Sequence, residues 1–320
     1  MVFIGASGSG KSVLAGQLIL ALGGINQGII NNYKSEASSY NLPETKALAF
    51  CLDIHQLERR TGKTIHPPTL WNIPLNNIQY GLMCPSGDLR YIKSFCSSVG
   101  KADLLLLLVG VVEYERDKQV IEEQLKICHQ LSLSVEIVVG LTKCDMIIDA
   151  DELSQVTREL TLCLSKQIEP YFKLIGIFHT DINGSNCVCR SDLPSPSILL
   201  DLLDHVPAER YTVDPSISSQ FLCPVHYSWR IGGIGTVLCG KVLSGTLEPS
   251  SKILYVGKEE TFAQSIESHY SYLSSTEPGR YVGINVANVF ARMVKRGMIL
   301  SDRHIGEAQW ISASIKAANG

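Results

Sequence analysis

One short stretch constrains this chain more than any other: Gly5-Ala6-Ser7-Gly8-Ser9-Gly10-Lys11-Ser12 fits the pattern G-x-x-x-x-G-K-[ST]. Val2–Ile4 before it reads as an apolar strand, and Lys11 to Leu22 reads as a helix closed by Gly23-Gly24. A strand, a glycine-rich loop and a helix in that order make a phosphate cradle. The glycines let several backbone N–H groups face one anion, and the helix N-terminus aims its partial positive charge at the same point. Gly5, Ser7, Gly8, Ser9, Gly10, Lys11, Ser12 and Val13 are therefore nucleotide-binding candidates. Within that set, Lys11 would pair the β- and γ-phosphates, and the Ser12 hydroxyl would ligate Mg²⁺.

The chain around this motif alternates strands and helices. Gln79–Met83, Asp103–Val111, Glu136–Leu141 and Leu174–Phe178 read as strands. Helical spacing runs from the turn at Pro85-Ser86-Gly87 to about Val99, over Val120–Leu131, over Asp151–Ile168 and over Ile198–Leu203. Strands separated by helices predict a mostly parallel sheet covered on both faces. The pattern changes after Val206, where Pro207 and Pro215 bracket a linker. Short β-rich runs follow at Thr236–Leu238, Lys241–Leu243, Lys252–Val256, Tyr281–Val286 and Met298–Leu300, with a last alternating run at Trp310–Lys316. Short strands with turn residues between them predict a small β-barrel.

Charge and cysteine usage narrow the classes. Residues 1–211 carry 18 basic and 23 acidic side chains and residues 212–320 carry 10 and 8, so neither part is a polycation and DNA is not an expected partner. Arg292, Lys295 and Arg296 are read as a solvated surface cluster. The longest apolar run, Leu104 to Val112, is far too short to span a bilayer. The N-terminus has no signal-peptide pattern, so the expectation is a cytoplasmic protein without a membrane partner. The 10 cysteines include no C-x-x-C pair and are read as reduced, mostly buried thiols. Cys187 and Cys189, with His179 nearby, could supply part of a zinc site but lack a convincing fourth ligand.

The phosphate loop does not choose the base; an ATP-dependent kinase or a transporter ATPase could use the same spelling. The choice rests on Thr142-Lys143-Cys144-Asp145, just after a strand. An Asp there accepts from guanine N1–H and the exocyclic amine, whereas adenine offers no such donor pair. The Lys143 stem would pack along the base. A plain helix-capping Asp is the competing reading of the same four residues.

Together these residues resemble the translational GTPase family, in particular its elongation factor 1-alpha branch of eukaryotes and archaea. The likeness runs through Gly16-Gln-Leu-Ile, Gly23-Gly24-Ile25, Lys34–Ala37, the switch I spacing of Asp53 through Thr64, Val139-Gly140-Leu141, Arg230–Gly240 and Pro278–Asp302. It implies a P-loop GTP-binding domain over 1–211, a β-barrel second domain over 212–303 and a stub of a third barrel over 304–320. It implies GTP or GDP with Mg²⁺ as ligands, Thr64 as a second Mg²⁺ ligand, Gly87 as a γ-phosphate contact and Thr180 near the last base-contacting motif. The family delivers aminoacyl-tRNA to the ribosome and hydrolyses GTP there.

Most of the departures from the family pattern fall at the catalytic face, and base reading departs less. Gly8 stands where the family has Asp. Cys84 replaces the carboxylate that holds Mg²⁺ through water, and sulfur is a poor partner for a hard cation. Asp88 occupies the position of the water-orienting His, where a negative charge opposes the γ-phosphate. Thr142 replaces an Asn of the base-reading motif. The expectation is a GTP-binding protein with weakened hydrolysis, the ribosome as a partner and tRNA carriage disfavoured. The alternatives are a hydrolysis-deficient interaction module and, more remotely, a P-loop ATPase or kinase.

Overall fold

A computed structural model describes residues 1–75, 78–131, 135–180, 199, 203, 219–268 and 271–306. The chain divides into two compact units, Met1–Ala208 and Glu209–Gly320.

The first unit runs β1 (Val2–Ile4), α1 (Lys11–Ala21), α2 (Gln27–Ser39), a 3₁₀ helix Glu44–Cys51, α3 (Gln56–Thr61), β2 (Trp71–Leu75) and β3 (Ile78–Leu82). It continues with a 3₁₀ turn Leu89–Tyr91, α4 (Ile92–Val99), β4 (Leu104–Gly110), α5 (Tyr114–Gln130), β5 (Glu136–Thr142), a 3₁₀ turn Cys144–Met146, α6 (Ala150–Ile168) and β6 (Lys173–His179). Strands β1, β4, β5 and β6 lie side by side in that order, all parallel, with Val2 opposite Leu105 and Leu105 opposite Ile137. Every residue of β4 is buried, as its unbroken apolar run requires.

Alternate residues of these strands feed two cores. Leu104, Leu106 and Leu108 meet Val13, Leu14 and Leu18 of α1, while Leu105, Leu107 and Val109 meet Phe95, Ile121, Leu125, Leu160 and Leu164 of α4, α5 and α6. The sheet is thus covered on both faces, and the loop after β1 emerges at the carboxyl ends of its strands.

The strand expected at Gln79–Met83 is present, but it pairs antiparallel with β2 and meets the main sheet through a parallel bridge of Met83 to Val2. Pro74 hides β2 in the sequence, because proline usually argues against a strand. In a two-stranded ribbon its missing N–H can face the unpaired edge.

The second unit consists of β7 (Leu222–Ile231), β8 (Gly235–Lys241), β9 (Leu254–Val256), β10 (Glu259–Thr261), β11 (Ala263–Ser268), β12 (Ser271–Tyr272), β13 (Tyr281–Val286) and β14 (Ile299–Ser301). They form an antiparallel array in the order β10-β9-β14-β7-β8-β13-β11-β12, the half-barrel of a small β-barrel domain. Phe221, Val225, Leu238, Leu254, Ile266, Ile284 and Leu300 fill its core. Lys241–Leu243 is not a separate strand: β8 continues through Lys241 and ends there.

Leu199 and Leu203 are buried against the first core, and the Tyr80 hydroxyl donates to the Leu203 carbonyl at 2.7 Å. The rest of the helix expected over Ile198–Leu203, the Pro207–Pro215 linker, the run Trp310–Lys316 and Cys187 and Cys189 lie outside the described residues. So does most of the stub expected over 304–320. The eight described cysteines are all unbridged, six of them buried. Among the described residues no helix is long and apolar enough to cross a membrane.

Candidate functional site

The loop between β1 and α1 depends on glycine. Gly5, Gly8 and Gly10 hold φ of 130°, 91° and 89°, and a Cβ on Gly5 would stand 2.2 Å from the Leu108 carbonyl oxygen. Lys11 is buried at the helix start, and its Nζ donates to the carbonyls of Gly5 at 2.8 Å and Ala6 at 2.6 Å. Loss of water pushes this ammonium down to about 8. The Ser9 hydroxyl is buried without a hydrogen-bond partner. A cation with two carbonyl acceptors and a buried, unpaired hydroxyl fit an anion in the loop.

Beside the loop lies a cleft of about 420 Å³. Ser7, Gly8, Gly10, Lys11, Ser12 and Val13 line one side, and Lys46, Asp53, Gly62, Lys63, Thr64, Ser86 and Gly87 line the other. Ser12 Oγ lies 3.1 Å from Thr64 Oγ1, which donates to Asp53 Oδ1 at 2.9 Å. Burial pushes the Asp53 carboxyl up to about 6, against the opposing effect of the Thr64 bond. Two hydroxyls and a carboxylate are the hard oxygen donors that Mg²⁺ prefers. Lys46 donates to the Gly62 carbonyl at 3.0 Å, and burial lowers its pKa. Neither Asp53 nor Lys46 is among the sequence candidates. Asp53 opens the stretch that matches switch I spacing, which is the signal that could have found it.

The next stretch closes the same cleft. A Cβ on Gly87 would fall 2.4 Å from the Gly5 carbonyl oxygen and 2.6 Å from Lys11 Nζ, so only glycine fits. Gln124 of α5, buried, joins this turn to the loop: its Oε1 accepts from the Gly5 N–H at 2.8 Å, and its Nε2 donates to the carbonyls of Gly5 at 3.2 Å and Gly87 at 3.3 Å. Cys84 is buried with Sγ 3.9 Å from the Lys11 carbonyl oxygen, and burial drives its thiol far up, so it stays protonated. Asp88 does not line the cleft. Its carboxylate caps the Leu89–Tyr91 turn through the Arg90 N–H at 3.0 Å and binds the Arg90 guanidinium, with Nη2 at 2.5 Å. Those bonds hold it below the usual carboxylate range.

The base-reading candidates gather at the end of β5. The Thr142 hydroxyl donates to the Ser9 carbonyl at 2.9 Å, tying this loop to the phosphate loop. Lys143, at a φ of 61°, pairs with Glu113. Asp145 sits half-buried on the Cys144–Met146 turn, and the Thr180 carbonyl accepts from the Cys144 N–H at 3.1 Å. Thr142, Lys143, Asp145 and Thr180 are therefore brought together, outside the lining of the phosphate-side cleft. His179 is close by, and both of its ring nitrogens are buried without hydrogen bonds. Its zinc candidates, Cys187 and Cys189, lie outside the described residues.

Comparison with known proteins identifies the family and the fold. Residues 1–246 match the family model described as the elongation factor Tu GTP binding domain. Elongation factor 1-alpha of Tetrahymena pyriformis is 27% identical over 318 residues, covering 94% of this chain and 71% of that protein. Its counterpart in Entamoeba histolytica is 28% identical over 314 residues, covering 94% and 69%. Among solved structures, a bacterial selenocysteine-specific elongation factor, EF-Sec, superposes with a TM-score of 0.66 at 19% identity over 94% of this chain. The chain spans only 44% of that structure's length. The S. cerevisiae Ski7 GTPase-like domain, bound to GDP and inorganic phosphate, gives a TM-score of 0.69 at 16% identity over 93% of this chain and 73% of its own. Likenesses at such low identity speak for the fold.

Proposed function

Because the chain belongs to the family of the elongation factor Tu GTP binding domain, we propose that it binds GTP and GDP with Mg²⁺ and hydrolyses GTP far more slowly than a working elongation factor. The observation that carries this is the asymmetry of the cleft. Its lining includes Lys11, Ser12 and Thr64, whereas the segment that would supply hydrolysis has a buried, protonated Cys84 and an Asp88 turned away from the cleft to Arg90.

The residues divide the work. Lys11 and the loop N–H groups would hold the terminal phosphates, and Gly87 leaves room for its own N–H to approach them. Ser12, Thr64 and Asp53 would hold Mg²⁺, which when bound neutralises phosphate charge. Asp145 would select guanine, with Thr142 and Thr180 fixing its loop. Asp88 is a poor substitute for a neutral imidazole: ionised and paired with Arg90, it neither donates to nor orients a water at the γ-phosphate. Structures of the Ski7 domain carry GTP, or GDP with inorganic phosphate, and a ligand of the same class suits the cleft here.

The reading extends to a cytoplasmic role with the ribosome as partner, by kinship with translation factors. Aminoacyl-tRNA carriage is left out, because a formal charge of −3 gives no general attraction for a polyanion. Titration of fluorescent GTP and ATP analogues, with and without Mg²⁺, tests binding. Tighter, Mg²⁺-dependent GTP binding is expected, and equal affinity for the two would remove the role given to Asp145. Single-turnover hydrolysis should stay near background with and without ribosomes; a rate equal to that of an intact elongation factor would refute the slow-hydrolysis reading.

A further inference from the structure

We propose that His55, Glu58 and His66 form a site for a divalent transition-metal ion, Zn²⁺ first among them, that fastens the segment carrying Asp53 and Thr64. Each side chain offers one ligand atom, and the three atoms lie within 4.8 Å of one another. The two imidazole rings stand 4.0 Å apart between centroids, inclined by 35°, and His66 Nδ1 is 3.5 Å from Glu58 Oε1. Tetrahedral ligands on bonds of about 2.0–2.1 Å sit roughly 3.3 Å apart, so the triad needs a contraction of about 1.5 Å at most. His55 is exposed at the start of α3, where its ring has room to swing inward.

Two features argue for a ligand rather than an ordinary polar cluster. Glu58 is only 3% exposed, and its carboxylate is held in one orientation. Its Oε1 accepts from the N–H groups of Ile65 and His66, both at 2.8 Å, and its Oε2 accepts from the His55 N–H at 3.4 Å. Backbone contacts of this kind commonly orient a metal-bound carboxylate. His66 Nδ1 is buried and makes no hydrogen bond, so an electron-pair acceptor between the rings would satisfy it. Two imidazoles and one carboxylate, with a position left for water, are a donor set that Zn²⁺ accepts and Mg²⁺ does not favour. The site therefore discriminates between the two ions at short range from the oxygen-lined cleft.

The consequence follows from the spacing. His55 stands two residues after Asp53, and His66 two residues after Thr64. A small pocket is lined by His55, Glu58 and His66 together with Asp53 and Thr64. An ion joining the two histidines would fix the separation of the carboxylate and hydroxyl that meet in the cleft. This site does not depend on which nucleotide the cleft accepts.

The test is calorimetric titration of the metal-stripped full chain with Zn²⁺ in the absence of nucleotide, alongside the absorption spectrum with Co²⁺. One equivalent should bind, with a Co²⁺ spectrum of nitrogen and oxygen ligands lacking a thiolate charge-transfer band. His55→Ala and His66→Ala should each weaken Zn²⁺ binding by more than about tenfold. The pair Cys187→Ser with Cys189→Ser should leave it unchanged. The proposal is overturned by no binding, by a thiolate band, by loss of the ion in the cysteine pair, or by unchanged affinity in the histidine variants. Should His66→Ala fail to fold, His55→Ala alters an exposed ring and decides the matter alone.

Discussion

The loop Gly5–Ser12 and the segment Cys84–Asp88 pack against each other, yet their side chains suit different tasks. The loop holds three glycines at positive φ, a buried lysine and the Ser12 hydroxyl beside Thr64, with Gly8 its one departure from the family pattern. In the segment, Gly87 packs tightly against Gly5, while Cys84 is a buried thiol and Asp88 is turned to Arg90. Holding a triphosphate requires shape and positive charge, whereas cleaving it also requires an oriented water. The comparison teaches that these two demands rest on separate residues, so one can decay without the other.

The sharpest way to break the comparison is Lys11→Ala. Removal of a buried, charge-assisted phosphate contact should weaken GTP binding on the order of 100-fold, read by fluorescence titration. Intact affinity would show that the loop no longer works as a cradle.

A second effect comes from the same side chain without any nucleotide. Lys11 titrates near 8 when folded and near 10.5 otherwise. Between those values the unfolded chain binds more protons, so stability should rise with pH across that window, by about 3 kcal/mol. Chemical denaturation at pH 7.5 and 10 (about the two ends of that range) would measure the slope, which Lys11→Met should flatten.

Smaller again is the gain expected on the hydrolytic side. Cys84→Asp with Asp88→His should raise single-turnover hydrolysis by about tenfold, or roughly 1.4 kcal/mol in barrier. No gain would place the defect outside the segment. Least of all, Arg90→Ala should leave the melting temperature within experimental scatter, since its pair with Asp88 lies at the surface.

Much of the fold could be read from the chain because its signals are local. The apolar run of β4 and the helical spacing of α6 report burial directly, and the phosphate loop carries its geometry in its glycines. Asp53 and Lys46 were harder to find, because they enter the cleft from both ends of the 3₁₀ helix Glu44–Cys51 and its sequel, where no amphipathic period marks a face. Asp88 could be located but not oriented: its alliance with Arg90 is a rotamer choice that spacing does not encode. Gln124 falls one residue before Leu125 on the buried face of α5, where an amide reads as an anomaly until its three backbone partners are known.

That single amide has an implication for signalling. It grips the Gly5 peptide at both its N–H and its carbonyl, and reaches Gly87 with its remaining hydrogen. If the turn were drawn toward a terminal phosphate, the weakest of these three links would part first, stranding a donor in the protein interior. The arrival of a ligand at that turn would thereby load α5 at Gln124, whatever became of the ligand afterwards.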